Sequence, residues 1–541
     1  MLAAVLFYSL LFLTLVVLPA LLILVFLLFV DHERRFWKHI SPRVAPAVKR
    51  FWARPAVRKL RERYPGTVSF IGRRLDRHDP WGLAATTTTF VIGSGLWFFA
   101  GIIQDLVGKD PLILLDVRLH NSVPLFRSTG MTWFMLALTE LGSPAVLWVV
   151  SVGSALLALS RGNRRLAATV ILAVAGSGFL SVIIKAVIGH ARPADALITA
   201  HATSFPSGHM LSGAVVYGLF ASLLLRTPVR PITRAIGTVL LLLLVVGIGL
   251  SRLYLGVHWP SDLLGSLALA LACLALLLFF LHYEGLLPRI DRMTLPLTPT
   301  VLRVSGIAVL AASVVTGAFL VRHTRMVVMG PPPPVRQVAM SALLAGLPVE
   351  IPRRSEGLIG EPMEPISIVV TGSKEQVITA FQHGGWTLAD LPTPIRVVQE
   401  GLAALENRQD PSGPATPSYL ADRPQTLTFE KPDPTAPGIR RRHHTRMWQT
   451  PYCANPGCQP IWVATASFDV GVELSAKLHL PTHRIDPDID AERSLIVTDL
   501  TRSGARDLGM ITVVPPLHGT NAAGDAFTTD GRAAILGIPP V

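Results

Sequence analysis

Apolar stretches of about 20 residues recur through the first 320 positions of this chain. A helix of that length crosses the hydrocarbon core of a bilayer. The stretches lie at 2–30, 83–107, 138–160, 166–188, 208–226, 234–250, 261–282 and 302–320. Half of the 541 residues are hydrophobic and only 16% are charged, which excludes a single ordinary soluble domain. The sequence therefore predicts an all-α multi-pass membrane bundle.

The first stretch predicts a membrane anchor over residues 1–30, because it has no Lys or Arg before it, is too long for the apolar region of a signal peptide and ends without a small-residue cleavage site. Residues 31–80 then carry 14 Lys and Arg against five Asp and Glu, which places this segment in the cytoplasm or at the membrane interface. Aromatic residues alternate with these charges, which favours contact with anionic lipid over nucleic acid. A solvated orientation signal remains an equal alternative.

Arginines recur in every second loop after this segment, as the positive-inside rule requires. They are Arg161, Arg164 and Arg165, then Arg226, Arg230 and Arg234, then Arg289, Arg292 and Arg303. The loops 189–207 and 253–260 then face the opposite side, together with everything after the last span at 302–320. We expect that side to be the periplasm of a bacterial inner membrane.

Three polar clusters stand at the ends of apolar spans that face this outer side. They are Lys185 with Arg192-Pro193, then Pro206-Ser207-Gly208-His209, and then Ser251-Arg252 with His258 and Asp262. Charged groups at membrane depth are costly and indicate function. We expect the two cations of the first cluster to share one helix face, and Ser207 to cap the next helix. His258 and Asp262 can form a hydrogen bond that fixes the imidazole tautomer.

This set of side chains matches the needs of phosphate-ester hydrolysis: cations and a helix N-terminus for the phosphoryl oxygens, a nucleophile and an acid. The pattern Lys-x6-Arg-Pro, Pro-Ser-Gly-His and Ser-Arg-x5-His-x3-Asp resembles the signature of the type 2 phosphatidic acid phosphatase family. Twelve residues separate its first two parts and 41 separate the last two.

The resemblance implies a six-helix membrane core over residues 83–282, a phosphohistidine intermediate and no metal or other cofactor. Carried onto this chain, His258 is the expected nucleophile, Asp262 its orienting partner and His209 the general acid. The residues expected to bind the phosphoryl group are Lys185, Arg192, Ser207, Gly208 and Arg252. His190, His201 and Asp195 are interpreted as loop residues rather than catalytic ones.

A proline-rich linker at 330–334 leads into residues 335–541, which predict a soluble α+β domain. Ile366 to Thr371 is typical of a strand, Ser373 with Gln376 indicates a capping box, and Thr393-Pro394 indicates a further helix start. Later strands are predicted at Ile461 to Phe468 and Met510 to Val514. The domain resembles the LssY carboxy-terminal domain family, judged from the segments around His443-His444 and His483 to Arg493.

Two features of this domain have more than one interpretation. Cys453 and Cys458 enclose a turn-forming sequence and are predicted to form a local disulfide, with a mixed Cys/His metal site as the alternative. A group of histidines and aspartates in this domain could bind a metal or a sugar phosphate, or could be a turn that leads into a helix with acids in its first turn. Its members are His443, His444, His483, Asp486, Asp488 and Asp490.

The sequence thus predicts a phosphatase that acts on a membrane lipid phosphate or diphosphate, with an isoprenyl diphosphate such as the undecaprenyl carrier favoured. Phosphatidic acid, phosphatidylglycerophosphate and lipid A phosphates are further candidates. Two other classes remain open: a vanadate-dependent haloperoxidase-like enzyme, and a non-catalytic receptor for lipid phosphates.

Overall fold

The computed structural model describes residues 62–76, 81–108, 111–200, 203–283, 299–327, 334–391, 406–436, 441–474, 481–521 and 524–539, with isolated positions between 46 and 59, between 393 and 403, and at 438. The chain divides into two compact units. The described residues of the membrane unit lie within 46–108 and 127–327, and those of the C-terminal unit lie within 111–126 and 334–539. The predicted anchor at 1–30 and most of 31–80 lie outside the described residues.

The membrane unit is helical. Its helices are α1 (Pro65–Arg74), α2 (Leu83–Gly108), α4 (Thr129–Glu140), α5 (Pro144–Leu159), α6 (Arg164–Ile188), α7 (Gly208–Leu225), α8 (Pro231–Tyr254), α9 (Pro260–Tyr283) and α10 (Pro299–His323), and α3 (Pro111–Ser122) belongs to the C-terminal unit. Among the described residues, six helices are long and apolar enough to cross a membrane, or seven spans if α4 and α5 count as one. The chain is therefore a multi-pass membrane protein.

The predicted span at 138–160 was wrong in its shape. Two helices, α4 and α5, replace it and meet at an angle of 44°. The break falls at Leu141–Ser143 because Ser143 accepts a hydrogen bond from the Val146 backbone N–H at 3.4 Å and starts a new helix, while Pro144 has no N–H to continue the old one. The other predicted spans from 83 to 320 coincide with α2 and α6 to α10.

Helix α7 lies at the centre of the membrane unit. Thirteen of its 18 residues are buried, including Leu211, Val215 and Leu219. Gly218 permits close packing, since an added Cβ would lie 2.9 Å from Leu274 of α9. Outer helices instead expose large apolar side chains such as Trp97 of α2, as expected where lipid is the solvent. The N-terminus of α7 is consequently held by neighbours on several sides.

The C-terminal unit combines strands and helices. Its elements are β1 (Arg336–Ala339), α11 (Met340–Ala345), β2 (Arg354–Glu356), β3 (Pro362–Pro365), β4 (Ile368–Thr371), α12 (Lys374–His383), β5 (Thr387–Leu388), β6 (Tyr419–Leu420), β7 (Arg423–Pro424), β8 (Leu427–Pro432), β9 (Arg442–Asn455), β10 (Gln459–Leu474), β11 (Pro481–Ile485), α13 (Ile489–Arg502), β12 (Arg506–Thr512), β13 (Leu517–Thr520), β14 (Ala526–Thr529) and β15 (Arg532–Gly537).

Nine of these strands form one sheet. Its order is β12-β15-β4-β10-β9-β8-β5, and β1 pairs with β9 and β11 with β10. Helices α12 and α13 contribute to one of its apolar cores and α11 to another.

Local signals in this unit were predicted correctly. Ser373 and Gln376 form the capping box of α12, with the Ser373 hydroxyl accepting from the Gln376 N–H at 3.2 Å. Cys453 and Cys458 form a disulfide across the turn between β9 and β10. Asp488 caps α13 by accepting from the backbone of the next turn, so the acidic cluster there is the turn before a helix. The predicted helix start at Thr393-Pro394 lies largely outside the described residues.

Helix α3 is the one part of the C-terminal unit that lies between two spans in the sequence. The Arg118 side chain is 1% exposed and donates to Glu356, to the Gly357 carbonyl and to Asp422, the last at 3.1 Å. Asn121 adds a bond of 2.8 Å to the Asp422 carbonyl oxygen. Because the guanidinium is buried while Glu356 and Asp422 remain partly exposed, these contacts satisfy the charge of Arg118 and join α3 to the strands around it.

Three buried carboxyl groups of this unit share one cation. Arg442 lies 2.5 Å from Glu430, 3.4 Å from Asp469 and 3.6 Å from Glu400, and none of the four is more than 7% exposed. Burial raises the pKa of Glu430 to about 8 and that of Glu400 to about 7. Because these pKa values lie at or above neutral pH, Glu430 and Glu400 retain protons in the folded state near pH 7.

We therefore predict that the C-terminal unit loses stability as the pH rises. Between the unfolded glutamate pKa near 4.3 and the folded value, the folded state binds more protons than the unfolded state, so the free energy of unfolding falls with pH, by on the order of a few kcal/mol. Glu430→Gln removes one of these protons and should reduce the slope. The measurement is the tryptophan-fluorescence unfolding midpoint between pH 5.5 and 8.5.

The matched control is Glu406→Gln, since Glu406 is 62% exposed beside Arg408. This substitution should leave the wild-type slope unchanged. An identical pH slope in Glu430→Gln and wild type would contradict the role given to the buried cluster.

Candidate active site

The first cluster lies at the end of α6. Lys185 is in its last turn, and Gly189, with φ of 68°, ends the helix in the left-handed region that glycine favours. The expectation that Lys185 and Arg192 share a helix face was therefore wrong, because Arg192 lies in the loop three residues beyond the cap. The loop allows Arg192 to approach from a different direction than Lys185.

Lys185 holds the chain that enters α7. Its Nζ donates to the carbonyl oxygens of Thr203 at 2.6 Å and Ser204 at 2.8 Å. The Thr203 hydroxyl donates back to the Lys185 carbonyl at 3.0 Å. These bonds fix the backbone immediately before Pro206 and place a positive charge beside the second cluster.

The second cluster forms the N-terminus of α7. Ser207 occupies the N-cap position, but its side chain makes no capping bond, which corrects the sequence expectation. Its hydroxyl oxygen is fully buried and has no hydrogen-bond partner among the described residues. Gly208 lies close to α6, since an added Cβ would lie 3.1 Å from the Ser181 hydroxyl. An unpartnered hydroxyl at a helix N-terminus is suited to bind an anion.

The third cluster begins in the last turn of α8. Arg252 is 5% exposed and donates from Nη1 to the Thr139 hydroxyl of α4 at 3.0 Å. Its Nε has no hydrogen-bond partner among the residues that the structure describes. Thr139 lies in the last turn of α4, just before the bend between α4 and α5.

His258 and Asp262 form the pair that the spacing predicted. His258 Nδ1 lies 3.0 Å from Asp262 Oδ2, which also accepts from the Trp259 N–H at 2.9 Å. Both side chains are buried. Burial lowers the pKa of His258 to about 3, so its imidazole is neutral near pH 7. With the proton on Nδ1 facing the carboxylate, the lone pair is on Nε2.

The Arg192 guanidinium lies beside His258 Nε2. Its Nη1 donates to the Val257 carbonyl at 2.5 Å and lies 3.3 Å from His258 Nε2. His258 Nε2 therefore faces a guanidinium from the first cluster. A phosphoryl group at Nε2 would contact that cation directly.

His209 is in the first turn of α7 and completes the constellation. No hydrogen bond joins its imidazole to another side chain of the described regions, and it interacts electrostatically with Lys185, Arg192, Arg252 and His258. These four residues come from the other two clusters. The structure thus brings all three clusters to one place, which the linear sequence suggested only by their order.

One residue of the site was missed by sequence reasoning. His190, interpreted as a loop residue, lies with Nδ1 3.3 Å from Asp262 Oδ1 and 3.0 Å from the Ser204 hydroxyl. Gly189 was the available signal, because a glycine after a helical stretch marks the end of a helix and frees the following residues to turn inward. Asp195 lies 4.0 Å from Arg127, and His201 is outside the described residues.

The loop that carries His190 and Arg192 is also held by the segment that follows α10. The Val327 N–H donates to the Leu197 carbonyl at 2.8 Å, and the Thr199 N–H donates to the Arg325 carbonyl at 3.3 Å. Leu197 in turn donates to the Leu255 carbonyl at 2.9 Å, just before His258. The span added after the six-helix core therefore supports the first and third clusters.

We predict that Ser207→Ala weakens the binding of inorganic phosphate about fivefold to tenfold without lowering the unfolding temperature. The hydroxyl forms no bond within the fold, so its removal costs no internal hydrogen bond, whereas a bound anion would lose a donor. Isothermal titration calorimetry and thermal unfolding measure the two quantities.

Ser222→Ala is the matched control, because Ser222 is a second buried and unpartnered serine hydroxyl of α7, near its other end. It should leave phosphate affinity unchanged. Equal affinities of wild type and Ser207→Ala would argue against an anion site at this helix end.

Comparisons with known proteins match two separate parts of the chain. Residues 166–286 match the PAP2 superfamily, and residues 349–533 match the LssY C-terminus family. Phosphatidylglycerophosphatase B of Bacillus subtilis (strain 168) is 28% identical over 190 residues, which are 34% of this chain and 90% of the relative. The first match contains all three clusters.

A solved structure is also similar to this chain. It is described as the first transmembrane PAP2 type phosphatidylglycerolphosphate phosphatase from Bacillus subtilis, and it is 26% identical with a TM-score of 0.32. The similarity covers 38% of this chain and 98% of that one.

Proposed function

Because the chain carries a PAP2 superfamily domain followed by an LssY C-terminal domain, we propose that it is a membrane lipid phosphatase that works through a phosphohistidine at His258. The observation that carries the proposal is the neutral His258 imidazole, oriented by Asp262 and facing Arg192. A nucleophile, its orienting carboxylate and a cation for the transferred group occupy one site.

The proposed reaction has two steps. The negative charge of the bound phosphate offsets the neighbouring cations and allows His209 to carry a proton. His258 Nε2 attacks phosphorus, the bond to the lipid oxygen breaks, and protonated His209 gives that oxygen its proton so that an alcohol or a lipid monophosphate leaves. A water molecule then attacks phosphorus, the P–N bond breaks and inorganic phosphate is released. His209, now neutral, accepts the proton of this water, which restores the starting protonation.

Charge stabilisation in this scheme comes from the protein. Arg192, Arg252 and Lys185 supply three positive charges, and the Ser207 hydroxyl and the first N–H groups of α7 supply uncharged donors. Donors fixed before the reaction stabilise the charge that develops on the equatorial oxygens. We therefore propose that phosphate release proceeds without a metal ion.

The substrate proposed is an amphiphilic phosphate that reaches the site from the bilayer. Exposed apolar side chains on the outer helices support a lipid environment around the site. The relative named for phosphatidylglycerophosphatase activity favours a phosphatidylglycerophosphate headgroup, and an isoprenyl diphosphate is the candidate favoured by our sequence analysis. Both present a terminal phosphate monoester or anhydride to the same cations.

We propose that the active site faces the periplasm from the inner membrane. One span, formed by α4 and α5, and a second, α6, separate α3 from the loop of His190 and Arg192, so both lie on the same side. Four further spans, α7 to α10, return the chain to that side before the C-terminal domain. The contacts of Arg118 with Glu356 and Asp422 are consistent with this count.

We predict that purified wild-type protein releases phosphate from a panel of lipid phosphates and that His258→Ala lowers turnover at least about a thousandfold, because the nucleophile is lost. The panel contains phosphatidylglycerophosphate, phosphatidic acid and undecaprenyl diphosphate, with and without a chelator. Released phosphate is measured directly, and a radiolabelled substrate tests for an acid-labile phosphoenzyme in wild type only.

Phosphate release by His258→Ala at the wild-type rate would overturn the proposed mechanism. Lipid binding without release by wild type would favour the receptor alternative. Halide oxidation with added vanadate, and no phosphate release from the panel, would favour the haloperoxidase alternative. Loss of activity in the chelator would contradict metal independence.

We predict that the effect of His209→Ala depends on the leaving group. A lipid alcohol needs a proton in order to leave, whereas p-nitrophenolate does not, so the loss of a general acid should be on the order of a hundredfold for lipid phosphates and only a few fold for p-nitrophenyl phosphate. The rates of phosphoenzyme formation from the two substrates are compared in one preparation, because the later attack by water also uses His209 and is common to both. Equal losses for both substrates would remove His209 from the acid role.

A further inference from the structure

Asp262 is a fully buried carboxylate, and His258 uses only one of its two oxygens. Oδ2 accepts hydrogen bonds from His258 Nδ1 at 3.0 Å and from the Trp259 N–H at 2.9 Å. Oδ1 points away from His258 and would be costly to bury without a partner of its own. Its partners are His190 Nδ1 at 3.3 Å and the Ser204 hydroxyl at 3.2 Å.

His190 is held so that its ring stays beside this oxygen. Its backbone carbonyl accepts from the Ser204 N–H at 2.7 Å, and its Nδ1 lies 3.0 Å from the Ser204 hydroxyl. The ring lies 6.3 Å from the indole of Trp259, centre to centre. The loop therefore presents one nitrogen of His190 to Asp262 whether the bond runs directly or through Ser204.

The two histidines contact different oxygens of the Asp262 carboxylate and differ in their exposure. His258 is 2% exposed and has its other nitrogen at Arg192, whereas His190 is 24% exposed. The hydrogen-bond contacts of His190 Nδ1 are with Asp262 Oδ1 and the Ser204 hydroxyl. The Asp262 carboxylate therefore connects His190 to His258.

We propose that His190 is a positioning residue of the phosphatase reaction: it binds Asp262 Oδ1 and thereby keeps Oδ2 in line with His258 Nδ1. This inference rests on the function proposed above. Rotation of the Asp262 carboxylate by a few tens of degrees would weaken the bond that selects the Nε2 lone pair of His258. The second histidine prevents this rotation.

The test is a double-mutant cycle between His190 and Asp262 with phosphate release as the readout. His190→Ala should lower kcat about tenfold, the loss of one hydrogen bond to a charged group, with KM changed less than twofold. His190→Asn should recover most of kcat, because its amide nitrogen can occupy the position of Nδ1. In the Asp262→Asn background, His190→Ala should have no further effect.

His323→Ala is the matched control, since His323 is an exposed histidine in the last turn of α10 whose Nδ1 lies near the Phe319 carbonyl at 2.7 Å. It should keep the wild-type kcat. Thermal unfolding of each variant separates a folding defect from a loss of chemistry, and the asparagine variant carries the test if the alanine variant does not fold.

Three results would overturn the inference: a wild-type kcat in His190→Ala, equal losses in His190→Ala and His190→Asn, or a further tenfold loss in the Asp262→Asn background. Each is distinct from failure of the proposed function, which would appear as wild-type protein without phosphate release and would remove this inference with it.

Discussion

The arrangement of the site depends on the hydrogen bonds that the buried Asp262 carboxylate accepts. A charged oxygen pair with no access to water must be matched by donors from the protein, and the chain supplies them from two loops. His258 and Trp259 come from the segment before α9, and His190 comes from the loop after α6. Satisfying one buried charge therefore fixes the relative positions of these two loops and the tautomer of the His258 imidazole.

The membrane unit places this charge network against a rigid support. Helix α7 is buried along most of its length, and its N-terminus carries Ser207 and Gly208 into the same space as the guanidinium groups of Arg192 and Arg252. In lipid, such groups have few other partners, so unpartnered atoms at Ser207 and Arg252 indicate an anion as the missing one. The packing of α7 fixes the position of this helix start and of the unpaired Ser207 hydroxyl that the proposed function assigns to phosphate.

The C-terminal unit also buries charged groups, among them three carboxyl groups around Arg442. Burial raises the pKa values of Glu400 and Glu430 beside Arg442, so bound protons contribute to the stability of this cluster. The membrane site has the opposite balance, with an excess of cations that a phosphate would neutralise in the function proposed above.

The sequence by itself determined the spans that coincide with α2 and α6 to α10, the identity of the three clusters, the His258–Asp262 pair and the capping box of α12, because each depends on periodicity or on contacts between residues close in sequence. Tertiary structure alone decided that α4 and α5 bend, that Ser207 leaves its hydroxyl unpaired, that Arg192 leaves the helix and that His190 binds Asp262. The physical reason is that a buried charge finds its partners in three dimensions, and residues 72 positions apart carry no local signal that they will meet.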